Sequence, residues 1–210
     1  MRRLGKTVTL LTLLALTFLC INGCSWESGG GNDAGNYDGD NGEYPPPPYG
    51  VNYNETAQNF RVEQTLCVEG GARGAAIYAS DFLDAKATLV SVHAGWCGPC
   101  KAQAATMEDN FYQVYKDQGL KILLILFEDD EGSSDHQALL DYTCTYRERY
   151  GMTFTLAIDP GADVMGQFFR PTEAGTPLNM LLDDEMVIRY KVEGTIPNVL
   201  EGNIEALLSE

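Results

Sequence analysis

From about residue 54 the chain alternates between short unbroken apolar runs and stretches in which apolar residues recur three or four positions apart, the pattern of strands alternating with helices. Thr88 to Val92 is a short buried-strand run, and Lys101 to Lys116 places Ala104, Met107, Phe111, Val114 and Tyr115 on one helical face. Leu120 to Phe127, apolar throughout except for Lys121, reads as a central parallel strand covered on both faces. Strand, helix, strand in that order predicts a right-handed crossover. Ser133 or Ser134 and Asp135 cap a helix that runs to about Tyr150 and is ended by Gly151; Thr153 to Ile158 reads as a further strand stopped by Asp159-Pro160-Gly161. Leu178 to Leu182 and Met186 to Val192, separated by Asp183-Asp184-Glu185, predict a hairpin. Asn198 caps a closing helix whose Ile204, Leu207 and Leu208 pack on the sheet. The segment Asn54 to Glu210, about 155 residues without an internal repeat, is one α/β domain's worth of chain and enough to bury a sizeable core.

The N-terminal part follows different rules. Arg2, Arg3 and Lys6 precede an apolar stretch from Val8 to Ile21, too short to be a spanning helix by preference, so residues 1–23 read as an export signal. Ile21-Asn22-Gly23-Cys24 resembles the lipobox of bacterial lipoproteins, with Asn22 a departure from the small or β-branched residue usual there. The resemblance implies lipidation of Cys24, which becomes the new N-terminus, and a mature protein anchored on the extracytoplasmic side of a membrane.

Residues 24–53 are rich in Gly, Asn, Asp and Tyr, contain Pro45-Pro46-Pro47-Pro48, and have almost no aliphatic side chain to bury. Such a segment is expected to stay disordered and act as a tether, with a reach of about 30 Å. Asn36, Asp38, Asp40 and Glu43 lack the spacing of a calcium loop. Removing residues 1–23 lowers the basic residues from 14 to 11 against 30 acidic ones and moves the formal balance from −16 to −19. That acidity argues against nucleic acid and anionic lipid surfaces as partners.

The chemistry concentrates at Trp96-Cys97-Gly98-Pro99-Cys100, where a strand is expected to turn into a helix. A thiolate, not a thiol, attacks a disulfide, and a helix beginning at Cys97 stabilises the anion through its free N–H groups and its dipole. Cys97 is therefore the expected nucleophile. Cys100, one turn deeper, is the expected resolving thiol. Gly98 removes bulk at the point of approach, and Pro99 suits an early helical position. The same Cys-x-x-Cys supplies half of a zinc site, but there is no second such pair, and His93 and His136 are the only histidines. No metal and no cofactor beyond the redox-active disulfide itself is expected. His93 reads as a packing residue at the strand end or as a group that tunes the thiolate.

This order of elements, with Trp-Cys-Gly-Pro-Cys at the first strand-to-helix junction and Thr176-Pro177 just before the hairpin, resembles the thioredoxin fold, and more closely its exported TlpA/ResA-like branch. The resemblance covers about Phe60 to Glu210. It implies a three-layer sandwich, a central mixed sheet flanked by helices, with an N-terminal strand pair added. It implies that Pro177 is a cis-proline lying against the cysteines, that the Thr176 backbone is open to an extended substrate segment, and that Trp96 shields the pair. Two departures stand out. Thioredoxins have a buried Asp where this chain has Ser91, and ResA-like proteins have a Glu where it has Gln103. Cys67 and Cys144 are left over: they make a structural disulfide, remain two buried thiols, or relay electrons with Cys97.

The function expected from these residues is thiol–disulfide exchange by a membrane-tethered enzyme, with cysteine-containing exported proteins as substrates and a membrane thiol relay as electron donor. Gly-Pro between the cysteines resembles reducing thioredoxins. A peroxiredoxin-like peroxidase needs a Thr three residues before its attacking cysteine, where Ala94 stands. A non-catalytic module that binds partner segments beside Pro177 and Trp96 is the third alternative.

Overall fold

In a computed structural model, residues 44–169, 175–194 and 197–209 are described, Pro197 and Asn198 by their backbone alone. They belong to one unit, Gly35–Glu210. The expected export signal at 1–23, Cys24 and the tether up to residue 43 lie outside the described residues. The first strands, β1 (Arg61–Val68) and β2 (Gly71–Tyr78), form a hairpin, after which β3 (Ala87–His93) leads into α1 (Gly98–Thr106). There follow the short helix α2 (Gln113–Tyr115), β4 (Leu120–Leu126), α3 (His136–Arg149), β5 (Thr155–Ile158), α4 (Asp163–Phe168), the hairpin β6 (Leu178–Asp183) and β7 (Ile188–Glu193), and α5 (Pro197–Leu208).

Among the described residues, seven strands make one mixed sheet in the order β2-β1-β5-β4-β3-β6-β7. β3, β4 and β5 are parallel neighbours, and the other pairs are antiparallel. β3 is buried along its whole length and β4 everywhere except at Lys121, which is why both read as mainly apolar runs; the exceptions inside β3 are Thr88, Ser91 and His93, buried polar side chains. Leu89, Ala104, Met107, Leu139, Tyr146 and Ile204 pack on one face, under α1, α3 and α5; Phe60, Val90, Val92, Ile125, Val164 and Phe168 pack on the other, under α4. This is the expected thioredoxin-like sandwich with its N-terminal strand pair.

Four expectations are corrected. The helix expected from Lys101 to Lys116 is interrupted by a π-helical turn, Met107–Tyr112. The wider turn advances the apolar face, so Met107, Phe111 and Tyr115 are buried and Val114 is half exposed. β5 starts at Thr155, because Thr153 is drawn to Glu108, which accepts from its backbone N–H at 2.8 Å and its hydroxyl at 2.6 Å. Met186 lies in the hairpin turn, buried and with φ of 58°, rather than in the second strand. α5 starts at Pro197, which puts Asn198 inside its first turn instead of ahead of it. The α3 cap is as expected: the Asp135 carboxylate accepts from Ala138 N–H at 3.0 Å, and Gly151 follows the helix with φ of 62°.

The end of the expected tether is also corrected, because Tyr44 to Tyr53 packs on the domain. The Tyr44 ring is buried and its hydroxyl donates to Ala57 O at 2.8 Å. Asn54 N–H donates to Ile188 O (2.8 Å), Ile188 N–H to Glu55 O (2.9 Å) and Ala57 N–H to Met186 O (2.9 Å), so this strap covers the start of the β7 edge. Lys191 Nζ ties it down further by donating to Val51 O and, at 2.8 Å, to Phe168 O.

Candidate active site

β3 delivers the chain to the C-terminal end of the parallel strands, where Ala94-Gly95-Trp96 turns it into α1. Gly95 is needed for a close approach: a Cβ there would sit 2.5 Å from the Asp129 backbone carbon and 2.6 Å from Asp130 N. Cys97 is the N-cap of α1, and its Sγ accepts from Cys100 N–H at 3.1 Å. A free helix-end donor therefore points at the sulfur that has to carry negative charge. Gly98 and Pro99 are exposed in the first turn of α1. Cys97 and Cys100 are joined in a disulfide with Cα atoms 5.2 Å apart, and both are buried.

The Thr176–Pro177 peptide bond is cis, Pro177 is buried, and Cys97 Sγ lies 3.4 Å from the Thr176 carbonyl oxygen. Trp96 is half exposed beside the pair, its indole N–H donating to Glu128 Oε2 at 2.6 Å. Cys97, Cys100, Trp96, Gly98, Pro99, Thr176 and Pro177 thus come together around one disulfide. Sequence reasoning gave no role to Gly95 or Glu128; the crowding at Gly95 arises from a chain segment more than thirty residues on and leaves no local mark.

Beneath this surface lies a group of buried polar side chains. Gln103 Nε2 donates to Ser91 Oγ at 3.0 Å and to Asn179 Oδ1 at 2.7 Å, and Asn179 Nδ2 returns a bond to Gln103 Oε1 at 3.1 Å. Ser91 Oγ donates to Asn179 Oδ1 at 2.8 Å. His93 completes the group, with Nε2 2.9 Å from Ser91 Oγ and Nδ1 3.2 Å from the Tyr146 hydroxyl. Complete burial lowers the His93 pKa from 6.5 to about 3, so the imidazole is neutral at physiological pH. The Tyr146 hydroxyl, raised by burial, also donates to Cys100 O at 3.4 Å.

Cys67 and Cys144 are bonded to each other, with Cα atoms 5.6 Å apart, and join β1 to α3. In the β1–β5 register Glu63 faces Ile158, the end of β5, so Cys67 lies four residues, about 13 Å, back along the sheet from the level of the active site. The geometry makes this bond a brace and gives it no contact with Cys97. Among the described residues no group of three or more His, Cys, Asp or Glu side chains is placed to hold a metal, and no helix is long and apolar enough to cross a membrane.

No curated protein matches the sequence. Solved structures share the fold. A candidate thiol:disulfide interchange protein DsbE of Chlorobium tepidum superposes with a TM-score of 0.56 at 19% identity, covering 76% of this chain and 99% of that one. A secreted thiol-disulfide isomerase of Corynebacterium glutamicum gives 0.58 at 14% identity, covering 74% and 86%. The reduced 2-Cys peroxiredoxin of Plasmodium vivax gives 0.58 at 13% identity, covering 78% and 83%. The fold is therefore thioredoxin-like. The AhpC/TSA family profile matches residues 53–191, spanning β1 to β7 with the whole Cys97–Cys100 site, and the chain belongs to the AhpC/TSA family.

Proposed function

We propose that this chain is an extracytoplasmic thiol–disulfide oxidoreductase of TlpA/ResA-like type that reduces disulfides of exported proteins through Cys97 and Cys100. The observation that carries the proposal is the position of Cys97 Sγ, at the N-terminus of α1 and 3.4 Å from the carbonyl of the residue before a cis-proline. A substrate strand lying along Thr176 brings its own disulfide to that sulfur. The Cys97 thiolate attacks one substrate sulfur, forming a mixed disulfide and releasing the other as a thiolate. Cys100 then attacks Cys97 Sγ, the Cys97–Cys100 bond forms, the mixed disulfide breaks, and the substrate leaves as a dithiol once protonated. Two electrons pass to the substrate. A membrane thiol relay is the proposed donor that returns them, and no cofactor besides the disulfide takes part.

In this proposal residues 1–23 are the export signal, Cys24 carries the lipid, and the tether ends near Tyr44, with the folded domain following. Acidic composition fits protein partners better than nucleic acid. The peroxiredoxin reading draws on the family match and on the Plasmodium vivax neighbour. Against it, the position three residues before Cys97 is Ala94, fully buried and without a hydroxyl to offer a peroxide.

The test is the reduction potential of the Cys97–Cys100 pair in the full chain, equilibrated in graded thiol buffers and read by alkylation mass. A value at or below about −230 mV supports a reductase, and one near −120 mV reassigns the protein as an oxidant. Absence of a reversible two-electron transition leaves the binding module. Rapid peroxide consumption by the reduced protein selects the peroxidase.

A further inference from the structure

Ser91 and Gln103 stand where related proteins carry acids, and they are partners in a closed triangle with Asn179. Each corner comes from a different element of the site. Ser91 is on β3, whose end leads to Cys97; Gln103 is on α1, one turn beyond Cys100; Asn179 is on β6, two residues after Pro177. All three are buried, at 0%, 6% and 1% exposure, and Ser91 and Asn179 are direct cross-strand partners. The Gln103–Asn179 pair is reciprocal, each amide donating to and accepting from the other.

A buried amide that loses its partner is left unpaired at a cost well above the net worth of the bond, so such a pair tolerates little sliding between its elements. The elements need that restraint. α1 has nine residues, holds Gly98 and Pro99 in its first turn, has no side-chain cap other than Cys97 Sγ, and passes into the π turn at Met107. An apolar trio of similar volume would fill the same space without needing alignment. The polar trio adds a fixed distance between the dithiol helix and the strand behind the cis-proline.

We propose that Gln103, held by Ser91 and Asn179, is a positioning residue that sets Cys100 and the Thr176–Pro177 loop at the separation the resolving step requires. The inference rests on the oxidoreductase reading above. Gln103 touches neither sulfur; it acts by holding α1 against β3 and β6 while Cys100 attacks Cys97 Sγ in the mixed disulfide. A shift of about 1 Å in such a geometry costs up to about a hundredfold in rate. Attack by Cys97 on an incoming disulfide needs no such registry with Cys100, so the two steps are expected to separate.

The test uses the full chain and a cysteine-containing reporter peptide presented as its disulfide. Gln103→Met keeps the length of the side chain and removes all its bonds in the triangle; Asn179→Leu removes the partner. Each variant is expected to keep the alkylation rate of Cys97 by iodoacetamide within about twofold and to lengthen the lifetime of the mixed disulfide by about tenfold or more. The double variant is expected to add little, because both remove the same pair. Ser91→Ala, which leaves only a hydroxyl-sized gap, carries the test if the larger changes do not fold, with an expected lengthening of about threefold or more. A mixed-disulfide lifetime unchanged within twofold in the folded variants, or equal slowing of alkylation and resolution, overturns the positioning role while leaving the oxidoreductase intact. A parent chain that forms no mixed disulfide at all removes the oxidoreductase reading, and the positioning role with it.

Discussion

Replacing Cys67 and Cys144 together by serine removes the brace between β1 and α3 and leaves the active-site pair untouched. The bond closes a loop with a sequence separation of 77 residues. In the chain-entropy account a loop of that size restricts the unfolded chain by about 15 cal/mol/K, or about 4.5 kcal/mol at 25 °C. Against a typical domain stability of about 5–15 kcal/mol this is a large share. For a domain of this size it corresponds to a fall in Tm of about 9–18 °C. Global reduction would confound the measurement by opening Cys97–Cys100 as well, whereas the serine pair isolates the one bond. The assay is urea unfolding of parent and double variant without reductant, followed by far-ultraviolet circular dichroism, together with alkylation of the unreduced, unfolded parent. The expected result is a loss of about 3–5 kcal/mol, no alkylation of Cys67 or Cys144 in the parent, and an unchanged reduction potential at Cys97–Cys100. A loss below about 1 kcal/mol with both cysteines alkylated would show two free thiols and refute the reasoning. A shifted potential would restore the relay between the two pairs.

Cys97→Ser is expected to abolish reduction of a disulfide reporter and Cys100→Ser to accumulate mixed disulfides on non-reducing gels; equal residual activity in the two variants would sink the assigned roles. His93 gives stability a pH dependence. Its folded pKa of about 3 lies below the ordinary 6.5, so the unfolded chain binds a proton that the folded chain excludes between those values. This contribution is fully present above about pH 6.5 and is lost as pH falls toward 3, with about 2 kcal/mol gone at pH 5. Urea midpoints at pH 7 and pH 5 should differ accordingly, and a parent and a His93→Gln variant losing the same amount would count against the buried neutral imidazole. Tyr44→Ala, which empties a buried aromatic site under the strap, is expected to cost about 3 kcal/mol and to open the strap itself, residues 44–57, to cleavage by thermolysin. No change in either readout would return Tyr44 to the tether.

What was legible in the chain followed the range over which its causes act. β3 and β4 are covered on both faces, so burial wrote a mainly apolar run into each, broken only at Thr88, Ser91, His93 and Lys121. The dithiol was legible because Cys97, Gly98, Pro99 and Cys100 act on one another within a single turn. The strap at Tyr44 to Ala57 was not, because it is held by one ring, by backbone bonds to the β7 edge and by Lys191, none of which needs an aliphatic pattern. The π turn was hidden for a related reason, since the spacing of Ala104, Met107 and Phe111 is shared by an ordinary α-helix.

The triangle beneath the dithiol is the instructive case, because two of its members, Ser91 and Gln103, are visible in the sequence as separate departures from related proteins. An acid replaced by Ser91 and an acid replaced by Gln103 each suggest a weakened proton route when taken singly. Asn179, 88 residues from Ser91, changes their meaning. Its carboxamide oxygen accepts from both, and its N–H group returns a bond to Gln103, so the donors and acceptors match only when all three are present. A carboxylate at position 91 would set acceptor against acceptor at Asn179 Oδ1, and one at position 103 would remove the donor that Ser91 and Asn179 share. The two departures therefore belong together as one neutral arrangement, in which the ground beneath Cys100 is fixed by hydrogen bonds and carries no formal charge.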